Sequence, residues 1–186
     1  MKKNIYAYLD NENINISIQK LGRKIDRIKL RKRLTKRYGV TRAYMFMGYL
    51  PAQQEMYTFF QNIGYTLVFK PVNEKSTSQT KGNVDAELVL QAMIDVQEYT
   101  TAVIITGDGD FGSLVRYLRE KHKLETLIAP NARRYASLLR DAAGKQITSL
   151  SKHKKQLQYI PGPSKDEWGK DEKKQTTATP EEPFYA

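Results

Sequence analysis

Residues 102–112 read AVIITGDGDFG, and this stretch decides the fold. Ala102–Ile105 is a short, continuous apolar run, the pattern of a strand buried on both faces. Thr106 to Asp110 is polar and glycine-rich, so the chain turns there. A helix then runs over about 111–121, carrying Leu114, Val115 and Leu118 on one side.

The alternation of strand and helix continues outward in both directions. Toward the N-terminus, Ile5–Leu9 reads as a buried strand. Asp26 caps a helix over about 27–38, where Leu30, Leu34 and Tyr38 form an apolar stripe and Gly39 ends the helix. Residues 42–47 form a second strand. Pro51 opens a helix to about Asn62, and a third strand over 65–69 stops at Pro71. Residues 71–82 (PVNEKSTSQTKG) read as an exposed loop. A helix over about 84–98 places Val89, Met93 and Val96 on one side. Toward the C-terminus come a strand over 124–128, a short helix over 132–141 and a last strand over 147–150. Strands alternating with helices predict an α/β domain over residues 1–150, with a central parallel sheet covered on both faces. Residues 151–186 hold four of the seven prolines and few apolar residues, so they read as a disordered polar tail, Trp168 included.

The chain carries a formal net charge of +11, and the excess is localised. Residues 20–42 hold eleven basic residues and one acid, Asp26. Residues 43–150 hold eleven of each sign. Such a patch is a footprint for a polyanion: nucleic acid first, an anionic membrane surface second. The membrane reading is weaker, because the apolar stripe of the basic helix is needed for the core and leaves no lipid face. The chain has no Cys, which excludes disulfides, zinc fingers and thiol catalysis. Two isolated histidines, His122 and His153, read as solvated and give no support to Ser–His chemistry. The apolar run after Lys2 and Lys3 is too short for a signal peptide, and no run approaches the roughly 18 apolar residues of a membrane span. A cytoplasmic protein is the expectation.

In an open parallel sheet, sites form beyond the carboxyl ends of strands. Asp10 ends the first strand, and Asp108 and Asp110 follow the AVII strand. Asp85 starts the helix after the polar loop. If the first and fourth strands are neighbours, these acids converge. Two carboxylates about 5 Å apart repel by roughly 3 kcal/mol at an effective dielectric near 20, so a cluster calls for a cation. All-oxygen ligation points to Mg²⁺ or Mn²⁺. Structural roles compete at each position: Asp10 as a turn or cap residue, Asp85 against a helix dipole with Asn83 as cap, and Asp110 as cap of the next helix. Asp108 then has the least structural purpose. Asn13 either caps locally or orients Asp10, and Glu12 and Glu87 read as solvated. Gly107, Gly109 and Gly112 satisfy the dinucleotide fingerprint, but Asp108 and Asp110 would put negative charge where a pyrophosphate sits. An EF-hand loop fails because its twelfth position is Arg119.

YLDNENIN, KGNVDAELVLQAM and VIITGDGDFGSLV, in this order, resemble the NYN domain of the PIN-like, metal-dependent ribonucleases. The resemblance covers about residues 3–150 and implies a Rossmann-like, PIN-like fold. It implies a metal site for Mg²⁺ or Mn²⁺ built from Asp10, Asp85, Asp108 and Asp110, supported by Asn13, Thr106 and Lys81. The reaction implied is hydrolysis of RNA to 5′-phosphate and 3′-hydroxyl ends. Lys29, Arg31, Lys32, Arg33, Lys36, Arg37 and Arg42 are the candidates for gripping the RNA backbone, and a homodimer is left open. Relatives often carry an Ala-Asp pair where this chain has Ala143-Gly144, which suggests a reduced acid shell. Tyr49 is either a base-stacking residue or part of the core rim. Two other functions remain open. A non-catalytic RNA-binding module would keep the fold without the activity. A haloacid-dehalogenase-type phosphatase would use Asp10 as nucleophile, against which Glu12 stands where that class needs a second Asp.

Overall fold

The computed structural model of the chain describes residues 3–70 and 84–159. Six strands form a single sheet: β1 Ile5–Asp10, β2 Val40–Gly48, β3 Thr66–Lys70, β4 Thr101–Ile105, β5 Leu124–Ala129 and β6 Ile147–Ser149. Their order is β3-β2-β1-β4-β5-β6, and every pairing is parallel. The expected α/β architecture is therefore present, with the order reversing between β1 and β4.

All six residues of β1 are buried, as its unbroken apolar run requires. Ile5, Ala7 and Leu9 face one core, and Tyr6 and Tyr8 the other. The first core is closed by α1 (Asn11–Gln19), α2 (Arg27–Tyr38) and α3 (Gln54–Asn62), through Ile14, Ile18, Leu30, Leu34 and Phe60. The second is closed by α4 (Asp85–Ile94), α5 (Gly112–Glu120) and α6 (Ser137–Ala143), through Leu88, Val115 and Leu139. Each fully buried aliphatic side chain contributes about 1.5–3 kcal/mol.

Helix α2 has the expected bounds. The Asp26 carboxylate accepts from Lys29 N at 3.0 Å, and Gly39 closes the helix at φ 74°. Other elements differ. The helix after Pro51 begins as a 3-10 turn, Pro51–Gln53. In α4 the fully buried positions are Leu88 and Ala92, while Val89 and Met93, and Val96 in the 3-10 turn Asp95–Gln97 that follows, only border the core. Beyond α4, Asp95 is buried and accepts from Tyr8 Oη and from Gln91 Nε2, both at 2.9 Å, which ties this end of the helix to β1. The helix expected from residue 132 starts only at Ser137. The sequence reading assigned no helix between Asn13 and Asp26, yet α1 is there. Asn11, Asn13, Asn15 and its β-branched isoleucines are weak helix formers. Burial of Ile14 and Ile18, one turn apart, and a cap from Asp10 override that weakness.

The largest departure concerns the tail. Residues 151–159, given to the tail on composition, pack against the domain. A 3-10 turn, Leu150–His153, leads into α7, Lys154–Leu157. Leu157 is buried in the first core. Asp26 N donates to Leu157 O at 2.9 Å and Tyr159 N to Lys24 O at 3.1 Å. The buried Leu157 and these backbone hydrogen bonds hold it there. The expected loop over 71–82, with Lys81 and Asn83, lies outside the described residues, as does the chain after Tyr159 with Trp168. Among the described residues no helix is long and apolar enough to cross a membrane. If α7 belongs to the core, Leu157→Ala lowers unfolding stability by about 2 kcal/mol in urea titrations. No change would place 151–159 outside the folded unit.

Candidate metal centre

The sheet register brings the acids together. Leu9 pairs with Ile105 across β1 and β4, so Asp10 and Thr106 come next to each other. Asp10 has the side-parity of Tyr6 and Tyr8, and Thr106 that of Ala102 and Ile104, so both continue the rows of the second core. Asp10 is only 4% exposed. Its Oδ1 accepts from Asn13 N, capping α1, and its Oδ2 accepts from the Thr106 hydroxyl, both at 3.0 Å. The Thr106 oxygen in turn accepts from Asp108 N at 3.1 Å. Asn13 Oδ1 accepts from Gly107 N at 2.8 Å, so the Asn13 side chain holds the acidic turn and only its backbone serves Asp10.

Asp108 Oδ1 accepts from Asp110 N at 3.1 Å, capping the 3-10 turn Gly109–Phe111. The capping role expected of Asp110 thus falls to Asp108. Oxygens of Asp85, Asp108 and Asp110 lie within 4.8 Å of one another. Oxygens around an octahedral Mg²⁺ at about 2.1 Å stand about 3–4.2 Å apart, so a small side-chain adjustment suffices. The donor set is all-carboxylate, which fits a hard divalent ion and not zinc. Asp10 lies behind this group. Burial pushes its carboxyl up from 3.8 to about 6, with the charges of Asp85 and Asp108 adding to the effect, against the two hydrogen bonds that lower it.

The glycines of the turn answer to packing. A Cβ on Gly109 would sit 2.9 Å from Ala136 Cβ, and one on Gly107 would sit 3.1 Å from Asn13 Oδ1. Residues 131–136 cross over the turn, with Ala136 N donating to Gly107 O at 3.2 Å. That crossing segment carries exposed Arg133 and Arg134. The sequence reading missed them, although the pair in NARRY was a visible signal. Gly144 lies at the end of α6 against Arg119, in the last turn of α5. The acids stand at the opposite end of α5, about 13 Å away along nine residues. The Gly144 position therefore takes no acid away from this cluster. Glu87, expected in solvent, has one buried oxygen with no hydrogen-bond partner among the described residues.

The basic candidates divide. Lys29, Arg31, Lys32, Arg33, Lys36 and Arg37 lie on α2. Arg31 Nε donates to Gly64 O at 2.9 Å, and Lys29 pairs with Asp26 at 3.4 Å. Arg42 does not join them. It pairs in register with Tyr6 at the far end of the sheet, 5.0 Å above that ring, and donates to Tyr44 Oη at 3.1 Å. Four residues of strand, about 13 Å, separate that level from Asp10. Tyr49 packs on Tyr57 and Phe69 and remains 37% exposed.

A parallel α/β sheet with carboxylates gathered at its point of strand reversal defines a class of metal-site folds. The NYN domain matches residues 4–151, and the chain belongs to that family, part of the PIN-like superfamily. The family is generally ribonuclease-like, and PIN-like nucleases typically use divalent metals. The fold is also similar to the crystal structure of a protein of unknown function from Vibrio parahaemolyticus. That match has 20% identity and a TM-score of 0.69, covering 80% of this chain and 93% of the other. No curated protein matches the chain.

The buried Asp10 makes a testable cost. Its folded pKa lies above its unfolded one, so ionisation destabilises the metal-free fold. The penalty is absent below about pH 4 and complete above about pH 6. In EDTA, Asp10→Asn should raise stability by about 2 kcal/mol at pH 8, and the gain should vanish near pH 4. Thermal melts across pH check this; a pH-independent gain would contradict it.

Proposed function

We propose that this chain hydrolyses RNA phosphodiester bonds at the edge formed by Asp10, Asp85, Asp108 and Asp110. The observation that carries this reading is the convergence of Asp85, Asp108 and Asp110, which come from two separate segments of the chain, within 4.8 Å of one another in front of a buried fourth carboxylate. Asp85, Asp108 and Asp110 hold a Mg²⁺ or Mn²⁺ ion. Asp10 fixes Thr106 and adds negative field from behind. A divalent ion bound there supplies an activated water and neutralises charge on the phosphoryl group. Arg133 and Arg134 offer cations on the segment that crosses the turn, and Lys81 is proposed to assist from the 71–83 segment. The exposed residues of α2 bind flanking phosphates.

The phosphatase reading needs Asp10 to attack phosphorus. Its burial and two hydrogen bonds leave no oxygen placed for attack. The non-catalytic RNA-binding module is separated by experiment. Labelled RNA is incubated with Mn²⁺, Mg²⁺ or EDTA, beside Asp108→Asn. Cleavage should require the metal and fall about a hundredfold or more in the variant. Tight binding without any metal-dependent cleavage would favour the module. Cleavage that survives both EDTA and the substitution would refute the site.

A further inference from the structure

Residues 152–155 read KHKK, and dividing the chain at residue 150 averages these charges with the six acids of the remaining sequence. The fold sets residues 152–155 beside the basic helix. The 3-10 turn and α7 lie against α2, where Arg33 Nη1 donates to Gln156 Oε1 at 2.7 Å and Lys29 Nζ to Gln158 O at 3.3 Å. His153 sits among Arg33, Lys152 and Arg37; burial first, and then these charges, hold its imidazole below the ordinary range. Two basic blocks more than a hundred residues apart thus form one surface.

Among the described residues that surface pairs with an acid only through Lys29 and Asp26. Neither α2 nor residues 150–159 contain an acid. Lys32, Lys36, Lys152 and Lys155 are exposed and make no hydrogen bond or ion pair among the described residues. Clustered like charges destabilise a compact state, and among the described residues only the Lys29–Asp26 pair offsets them. A lipid surface fits poorly. Leu30 and Leu34 are buried, and Ile28 is the only apolar residue on the exposed side of α2, at 38%. A chain of phosphates fits well.

The far end of that surface lies away from the acids. Helix α2 packs on the first core, whereas α4 and α5 pack on the second. Lys36 and Arg37 occupy the last turn of α2, which leads into the start of β2, at the opposite end of the strands from Asp10. Twelve helical residues span about 18 Å, the length of about three phosphates of an extended single strand.

We propose that α2 together with Lys152 and Lys155 forms one composite site for the phosphate backbone of RNA, taken up by nucleotides beyond those at the acid edge. The preferred substrate is then a long RNA and not a short oligonucleotide. The substrate role rests on the nuclease reading; the binding role does not. The test is Lys152→Glu/Lys155→Glu in the full chain, beside Lys121→Glu/Lys145→Glu, which makes the same charge change elsewhere. Fluorescence polarisation in EDTA reads binding of unstructured RNAs of about 30 and about 5 nucleotides across a salt series. Binding of the long RNA should weaken about tenfold in the first pair, with a salt slope shallower by about 1.4, and the second pair should stay near wild type. The short RNA, which covers less of the surface, should bind more weakly than the long one and lose less in the first pair. Equal behaviour of both pairs on long RNA would overturn the proposal. So would loss of binding to phosphatidylserine vesicles with RNA binding unchanged. Because binding is read without metal, a failure to cleave RNA bears on the acid edge and leaves this result standing.

Discussion

A carboxylate buried at the end of a parallel strand must find donors, and the organisation of this molecule's edge follows from the donors that Asp10 finds. One is the backbone of Asn13, which starts α1. The other is the hydroxyl of Thr106 on the neighbouring strand. A buried acceptor left without such partners would cost about 1–3 kcal/mol, more for a charged group. The Asp10–Thr106 bond therefore requires β1 and β4 to be adjacent and level. From Thr106 the chain of hydrogen bonds runs to Asp108 N and from Asp108 to Asp110 N. Asn13 closes it by holding Gly107 N. Asp108 is thus oriented by the Asp110 amide that its Oδ1 accepts, and Asp10 by the Asn13 amide and the Thr106 hydroxyl.

This arrangement stores an electrostatic cost. Asp10 is raised by burial and by its acidic neighbours, against two hydrogen bonds that favour its charged form. A fold selected for stability alone would not gather four carboxylates at one edge. A divalent cation converts the same repulsion into attraction, which is why stability and metal affinity are expected to move in opposite directions when Asp10 is neutralised.

Much of the fold was legible because the strands are short apolar runs bounded by Gly, Pro or Asp, and because α2 carries both a cap and a terminal glycine. Convergence of the acids followed once β1 and β4 were taken as neighbours. Helix α1 was not legible, because tertiary burial of Ile14 and Ile18 outweighs the poor propensity of three asparagines. The cap at Asp108 was misassigned to Asp110, since sequence spacing does not say which of two acids accepts the amide. Arg42 was grouped with the helix lysines and arginines as a backbone-gripping candidate because charge was counted along the chain, whereas β2 turns Arg42 onto the face of Tyr6 and Tyr44, opposite α2. The same linear counting hid residues 152–155. The buried Arg27, held by Asn11 and by Asn15 through Nη2, ties α2 to α1 and so fixes the basic face relative to Asp10. Nothing in sequence pattern distinguishes that guanidinium from its exposed neighbours.

The central claim is that Asp85, Asp108 and Asp110 hold a divalent cation. Crystals soaked in Mn²⁺ and measured at the manganese absorption edge test it without reference to any activity. The account predicts an anomalous peak within about 2.2 Å of oxygens from all three residues. A peak elsewhere, or none there at saturating Mn²⁺, would contradict it.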